Sequence, residues 1–142
     1  MTTVKQILDA KGHEVWSIHP QASVFEAVQQ MAEKEVGALV VLEDNALAGI
    51  VSERDYARKV ILKGRLAHET PVRDIMTTDV ICTYPDWSIE ACMTLMTEKR
   101  IRHLPVMEGE QLVGIISIGD LVKTTIAEQQ FIIEQLEHYI TG

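Results

Sequence analysis

The sequence has few of the features that mark secreted, membrane or nucleic-acid-binding proteins. Its two cysteines, Cys82 and Cys92, have no Cys or His partner at metal-ligand spacing, so we interpret both as buried small hydrophobes in a reducing compartment. No apolar run is long enough to cross a bilayer. Residues 1–5 lack the apolar core of a signal peptide. The net charge of −8 argues against a broad nucleic-acid-binding face. We therefore expect a cytoplasmic protein with no membrane or nucleic-acid partner.

Signatures of catalysis are also missing from the sequence. There is no nucleophile beside a plausible base, no metal-ligand cluster and no glycine-rich phosphate loop before a helix. The five histidines are scattered along the chain. Four of them are interpreted as surface residues, namely His13, His19, His68 and His138, and the exception is His103. The sequence therefore predicts a protein that is not an enzyme and requires no metal.

What the chain does contain is an internal repeat. The segment 49–55, GIVSERD, returns as GIISIGD at 114–120, an offset of 65 residues. The same offset relates further identical pairs on both sides of the motif, among them Pro20 and Pro85, Ser23 and Ser88, and Leu39 and Leu104. One copy of about 60 residues would be only marginally stable alone. We therefore expect the two copies to share a core.

Hydrophobic periodicity and turn residues predict a mixed α/β (α+β) protein, with strand, helix, strand, strand, helix in each copy. In the first copy we expect a leading helix at 4–11, a strand at 15–18, a helix from Ser23, strands at 38–42 and 47–51, and a helix at 52–63. In the second we expect a short helix at 72–76, a strand at 80–83, a helix at 88–99, strands at 103–107 and 112–117, and a last helix running to about Ile140.

This pattern divides the chain into four parts. They are a first repeat at 1–63, a linker at 64–71, a second repeat at 72–125 and a C-terminal helical extension at 126–142. The small sheets of the two repeats are expected to pack face to face around a pseudo-twofold axis. The last helix has surplus apolar surface, which favours a homodimer contact. The alternative is that this helix folds back on its own chain.

The repeated motif has a structural and a functional interpretation. Ser52 and Asp55 begin one helix, and Ser117 and Asp120 begin another, as capping boxes do. However, a helix N-terminus also binds anions, a carboxylate can accept hydrogen bonds from a ribose diol, and a serine hydroxyl can donate to a ligand oxygen. The recurrence of the motif at the same place in both copies favours a nucleoside phosphate site.

Basic residues near one of these pairs predict that the two sites are unequal. Two facing repeats would bring Arg102 and His103, together with Arg54, to the Ser–Asp pair of the first copy as a phosphate clamp. Arg100 is interpreted as a solvated helix end. At the positions equivalent to Arg102 and His103, the first copy has Gly37 and Ala38, so the opposite site lacks a clamp.

The double Gly-x-x-Ser-x-x-Asp element, the Arg-His-Leu-Pro-Val strand and the element order resemble a tandem pair of CBS domains, the cystathionine β-synthase type of module. The resemblance covers the chain to about Thr125. It implies a disc-like module that binds an adenosine-containing ligand: AMP, ADP, ATP, S-adenosylmethionine or, in some members, NAD. The residues that it implies for binding are Asp55 and Asp120 for ribose, Ser52 and Ser117 beside them, Arg102 and His103 for phosphate, and Trp16, Ile18, Ile81 and Thr83 in the walls for adenine.

The resemblance also implies a regulatory role. Stand-alone members of this family usually dimerise through their helices, so we expect a homodimeric sensor that acts on a separate, unidentified protein. The alternative is a ligand-free scaffold that works through dimerisation alone.

Overall fold

The chain folds as two similar repeats in the computed structural model, which describes residues 2–141. The first repeat contains α1 (Val4–Lys11), β1 (Ser17–Ile18), α2 (Val24–Lys34), β2 (Ala38–Glu43), β3 (Ala46–Ser52) and α3 (Glu53–Tyr56), which continues as a π-helical turn (Ala57–Ile61). A 3₁₀ turn at Ala67–Glu69 lies in the linker. The second repeat contains a 3₁₀ turn (Val72–Asp74), α4 (Ile89–Lys99), β4 (His103–Glu108), β5 (Gln111–Ser117) and α5 (Ile118–Thr141).

The main helices begin where local capping predicts. The Ser23 hydroxyl accepts a hydrogen bond from the Glu26 amide at 3.1 Å, and the Ser88 hydroxyl accepts one from the Ala91 amide at 3.1 Å. Each serine satisfies a backbone donor that a helix N-terminus would otherwise leave without a partner. The predicted order of helices and strands and the mixed α/β class are confirmed, apart from the differences described below.

Two small sheets are built on matching registers. In the first, β1 pairs parallel to β2, and β2 pairs antiparallel to β3, with Ala38 opposite Ser52. In the second, β4 pairs antiparallel to β5, with His103 opposite Ser117. The strand predicted at 80–83 is wrong, because this segment makes only an isolated bridge between Thr83 and Val106.

Two predicted helices also differ from the structure. The helix predicted at 52–63 leaves α-helical geometry after Tyr56, and the Leu62 amide donates to the Ala57 carbonyl five residues earlier. The helix predicted at 72–76 is only a 3₁₀ turn. Its first amide, that of Val72, donates to Ala22 of the other repeat.

The leading segments of the two repeats are exchanged. The α1 residues Val4, Ile7 and Leu8 are buried in the second core, whose other buried members are Ile89, Cys92, Met96, Leu104, Val106, Ile116 and Leu121. Conversely, Val72 and Ile75 are buried in the first core, whose other buried members are Val24, Ala27, Met31, Leu39, Val41, Val51 and Val60. Each core is therefore completed by a segment that precedes the other repeat.

Backbone hydrogen bonds repeat this exchange symmetrically. The Val4 and Lys5 amides donate to the carbonyls of Trp87 and Pro85, both at 2.9 Å. In the other half, the Val72 and Arg73 amides donate to the carbonyls of Ala22 and Pro20, at 2.8 and 2.9 Å. The pairs correspond to one another under the sequence repeat, as a pseudo-twofold arrangement requires.

The linker between the repeats is packed onto the first repeat. Thr70 is only 2% exposed, and its hydroxyl donates to the Leu66 carbonyl at 2.8 Å. The ring of His68 stacks on Phe25 with 3.9 Å between ring centroids. These contacts fix the linker.

The last helix, α5, leaves the body of the molecule after its first turns. Leu121 is fully buried, whereas every residue of 131–141 is exposed. The exposed large hydrophobic residues of α5 are Val122, Ile126, Phe131, Ile132, Ile133, Leu136, Tyr139 and Ile140. Within 2–141, no helix is both long and apolar enough to span a bilayer.

Candidate functional site

A cavity of about 340 Å³ lies between the two repeats. The first repeat contributes Gly37, Ile50 and residues 52–55 at the start of α3. The second repeat contributes Thr77, residues 79–81 and residues 100–103. The volume is within the range of about 300–1,000 Å³ that is typical of small-molecule sites. Of the residues predicted for binding, the cavity brings together Ser52, Arg54, Asp55, Ile81, Arg102 and His103.

Ser52 and Asp55 form a complete capping box at the floor of this cavity. The Ser52 hydroxyl accepts from the Asp55 amide at 3.3 Å, and Asp55 Oδ2 accepts from the Ser52 amide at 2.9 Å. The Ser52 hydroxyl also lies 3.2 Å from the same carboxylate oxygen. Both side chains are therefore held in one orientation at the start of α3.

The second carboxylate oxygen of Asp55 faces a lysine. Lys59 Nζ lies 3.0 Å from Asp55 Oδ1 and donates to the Ile75 carbonyl at 2.9 Å. The Asp55 side chain is 14% exposed and Lys59 is 44% exposed. A carboxylate has about four acceptor positions, so Asp55 keeps capacity for a further hydroxyl donor.

Arginine side chains converge on the cavity from both repeats. Arg54, at the start of α3, donates from Nη1 to the Arg100 carbonyl at 3.2 Å and so connects the two repeats. Arg100 lines the cavity together with Arg102, although the sequence suggested only a solvated helix end for Arg100. Arg100 occupies the left-handed C-cap of α4, with φ of 55°, and this chain reversal at the helix end was not evident from the sequence. Three exposed guanidinium groups at one opening are suited to an anionic ligand.

His103 lies where the two repeats meet. A Cβ atom on Gly37 would lie 3.5 Å from His103 Cε1 and 3.4 Å from Glu53 Oε1, so the imidazole lies within ordinary contact distance of this position. Burial lowers the pKa of His103, an effect that Lys11 and Arg102 increase and Asp120 opposes. Burial therefore favours the neutral form of the ring more strongly than at an exposed histidine.

An apolar wall closes one side of the cavity. The segment 77–81 is anchored by two hydrogen bonds between Thr77 and Ile50, at 2.9 and 3.0 Å. Val80 and Ile81 then line the cavity, and Ile50 and Ile101 add further apolar surface. Sequence reasoning did not name Ile50 or Ile101, because these two face the cavity only through the pairing of the two repeats.

The other predicted wall residues are located elsewhere. Thr83 is fully buried, because its backbone pairs with β4 and its hydroxyl lies 3.1 Å from Cys92 Sγ. Trp16 and Ile18 pack against the core of the first repeat, and Lys34 Nζ lies 4.3 Å from the centre of a Trp16 ring. None of these side chains lines the cavity.

The second Ser–Asp pair has the same cap but different surroundings. The Ser117 amide donates to Asp120 Oδ2 at 2.9 Å, and the Asp120 amide donates to Ser117 Oγ at 3.2 Å. The same Oδ2 atom lies 2.7 Å from Lys11 Nζ of α1. Burial alone would raise the pKa of Asp120, but the bonds from Lys11 and Ser117 and the lysine charge outweigh it and hold that pKa below its ordinary value.

Among residues 2–141, no three His, Cys, Asp or Glu side chains are grouped as metal ligands. The cysteines are free, and burial raises the pKa of both thiols. The cavity thus offers a carboxyl group, an imidazole, apolar walls and guanidinium groups.

A family model for the CBS domain matches residues 4–62 and 72–126. The chain belongs to the CBS-domain family. This CBS pair is 39% identical to the mitochondrial CBS domain-containing protein CBSX3 of Arabidopsis thaliana, over 99% of this chain and 73% of the relative. A solved CBS-domain protein from Burkholderia ambifaria is 51% identical, with a TM-score of 0.88 over 90% of this chain and 96% of the other.

A third CBS pair shares the fold at greater sequence distance. It belongs to protein MJ0100, is 23% identical, and has a TM-score of 0.80 over 90% of this chain and 98% of its own. That protein was solved in complex with 5′-methylthioadenosine and S-adenosyl-L-methionine. Together, these comparisons confirm the resemblance inferred from the repeated motif.

Proposed function

We propose that this CBS pair is a regulatory module that binds an adenine nucleotide in the cavity between its repeats. The observation that carries the proposal is the convergence of a fixed Ser52–Asp55 cap and three arginines on one opening with an apolar wall. A diol acceptor, a cationic rim and an apolar slot match the three parts of a nucleotide: ribose, phosphate and base.

Each part of the cavity has a separate role in this proposal. Asp55 accepts a hydrogen bond from a ribose hydroxyl, and Ser52 holds the carboxylate in place. Val80 and Ile81 contact the base. Arg54 and Arg102 bind phosphate oxygens, with charge-assisted hydrogen bonds stronger than neutral ones. Arg100 and His103 complete the rim.

Support for an adenosine ligand comes from the shared fold, since the MJ0100 CBS pair was solved with two adenosine compounds. The phosphate-bearing candidates for this chain are AMP, ADP, ATP and NAD, and the arginine rim favours them over uncharged adenosines. The nucleotide regulates a separate protein, and the module is not itself an enzyme. The cytoplasmic location stays a prediction, since the Arabidopsis relative is named mitochondrial.

A thermal-shift series with AMP, ADP, ATP, NAD, NADH and S-adenosylmethionine tests the proposal. A ligand at a hundred times its dissociation constant stabilises a fold by about 2.7 kcal/mol, which raises Tm by several degrees. The expected result is a shift with a phosphate-bearing compound that Asp55→Ala abolishes and that Asp86→Ala, a substitution of an exposed aspartate, leaves unchanged. No shift with any compound, or a shift that Asp55→Ala does not change, would contradict the proposal.

The second candidate function is a ligand-free scaffold. The observation that favours it is the exposed apolar surface of α5, where Tyr139 and Ile140 are 86% and 80% exposed. A scaffold would give no thermal shift, while the same helix would still join two copies of the chain. The thermal-shift series therefore separates the two functions.

A further inference from the structure

The two exchanged leading segments differ in length. Val4 and Leu8 correspond to Val72 and Met76 at an offset of 68, whereas the repeats from Val15 onward align at 65. The structure supports this correspondence, because Leu8 packs against Gly114 in the way that Met76 packs against Gly49. The first copy therefore has three additional residues between its leading segment and its first strand.

These additional residues extend α1 over the second Ser–Asp pair. In the first cavity, the Ile50 carbonyl accepts from the Thr77 amide at 2.9 Å. Ile115 corresponds to Ile50 in the second repeat, and its carbonyl accepts instead from Lys11 Nζ at 3.0 Å. The same ammonium donates to Asp120 Oδ2 at 2.7 Å. The lysine thus bonds to the carbonyl and the carboxylate that correspond to Ile50 and Asp55.

The backbone that carries Lys11 is fixed on both sides. The Gly12 amide closes α1 by donating to the Leu8 carbonyl at 2.8 Å, and Gly12 has a φ of 104°, which favours glycine. The next residue, His13, bonds through Nδ1 to the Val113 carbonyl at 3.1 Å. Lys11 is therefore presented to Asp120 by a closed helix end, and the position at a helix C-terminus favours its positive charge.

We propose that Lys11 is an internal ligand of the second Ser–Asp pair and restricts the module to one nucleotide site. Its ammonium bonds to Asp120 Oδ2 and to the Ile115 carbonyl, so it fills the space beside the carboxylate that a ribose at this pair would need. Because Lys11 belongs to the same chain and its helix end is held in place, a ligand can use this pair only by breaking both bonds of the ammonium. The stoichiometry of one ligand per chain therefore follows from the three additional residues of the first copy.

Isothermal titration with adenosine tests this inference on the full chain. Adenosine has the diol but no phosphate, so the result does not depend on the positive charge that Lys11→Met removes. We expect one site in the unsubstituted protein and two in Lys11→Met, with at least tenfold tighter binding at the second pair than before. Lys11→Gln is a second neutral variant, and Lys5→Met is the matched control, since Lys5 is exposed on the same helix.

Further substitutions assign each site. Asp120→Asn in the Lys11→Met background should remove only the new site, and Asp55→Asn should remove only the original one. The inference rests on the proposed function only for the ligand class. The experiment can therefore contradict either one without the other. One Asp55-dependent site in both proteins would overturn the inference alone, whereas a single Asp120-dependent site gained in Lys11→Met would overturn the proposed function alone. Absence of adenosine binding to every variant, together with no thermal shift from AMP, ADP, ATP or NAD, would overturn both.

Discussion

At the residue scale, the two aspartates differ in the cation that each one meets. Asp55 shares Oδ1 with Lys59, one helical turn along its own helix, and keeps its other contacts within the Ser52 cap. Asp120 instead receives Lys11 from a distant part of the chain on the oxygen that already accepts from Ser117. The same motif is therefore paired with a lysine of its own helix in one copy and with a lysine of α1 in the other.

This difference predicts unequal effects of removing the two carboxylates. Asp55→Ala should weaken AMP binding at least tenfold in isothermal titration, because the ribose loses its acceptor. Asp120→Ala should leave AMP affinity within about twofold and lower the free energy of unfolding by about 0.5–2 kcal/mol, the range for a lost helix cap. Equal losses of AMP affinity in the two variants would contradict the assignment of ribose binding to Asp55.

His103 predicts a pH dependence of stability. Its folded-state pKa lies below the ordinary value of 6.5, so the unfolded chain binds more protons below that pH. The free energy of unfolding should therefore fall as the pH decreases from about 6.5 towards the folded-state pKa of His103. His103→Gln should flatten this part of the profile in urea unfolding between pH 5 and 7.5, a window of about one unit or more on either side of that value.

His138→Gln is the matched control for this profile, since His138 is exposed near the end of α5. This substitution should leave the slope of the free energy of unfolding against pH unchanged. An unchanged slope in His103→Gln would show that the buried imidazole does not control stability in this range. The charged groups that act on His103 are Asp120, Lys11 and Arg102, so Lys11→Met should also move the profile.

At the scale of single elements, the motif glycines allow the leading segments to approach the strands. A Cβ on Gly49 would lie 2.8 Å from the Thr77 backbone carbonyl and 2.9 Å from Met76 Sδ. For a Cβ on Gly114, the three nearest atoms would all belong to the side chain of Leu8, the first of them at 2.7 Å. The second contact can relax by rotation of a side chain, whereas the first requires movement of the backbone.

Alanine substitutions should therefore differ in cost. Gly49→Ala is expected to lower the free energy of unfolding by about 1–3 kcal/mol, the usual range for overpacking, and Gly114→Ala by less. Gly119→Ala is the control, because the nearest atom to its Cβ would be Ser117 Oγ at 3.6 Å, and alanine favours the helix. Urea unfolding measures all three, and a larger loss in Gly114→Ala than in Gly49→Ala would contradict this argument.

The same elements show how far the sequence predicts the structure. Helix starts such as Ser23 and Ser88 depend on contacts three residues away and were predicted correctly. The predicted strand at 80–83 failed because pairing depends on another strand, and only Thr83 finds a partner in Val106. Local pattern therefore predicts an element well when its hydrogen bonds are local.

The candidate site follows the same rule. The Ser52–Asp55 cap is evident from the sequence because its bonds are local. The role of Arg100 and the position of Lys11 over Asp120 depend on how two distant segments meet, and the sequence contains no local signal for either. The Trp16 and Thr83 walls were assigned by family position, and packing placed both elsewhere.

At the scale of the whole molecule, the apolar face of α5 predicts a homodimer. Ile133 and Leu136 are 47% and 57% exposed, on a helix whose residues 131–141 are all exposed. Ile133→Glu should place a charge in the contact and convert the protein to monomers in size-exclusion chromatography with light scattering. Gln135→Glu, which adds the same charge on the opposite side of the helix from Ile133, should leave the dimer intact. A dimer that persists in Ile133→Glu would place the contact elsewhere.

The exchange of leading segments determines how the protein unfolds. Because Val4 and Leu8 belong to the second core while Val72 and Ile75 belong to the first, neither half retains a complete interior when the chain is divided between the repeats. Heating should therefore melt the module in one calorimetric transition rather than two. Two fragments cut within 64–71 should each be unfolded alone and regain structure only when mixed, so the repeat is duplicated in sequence but indivisible in folding.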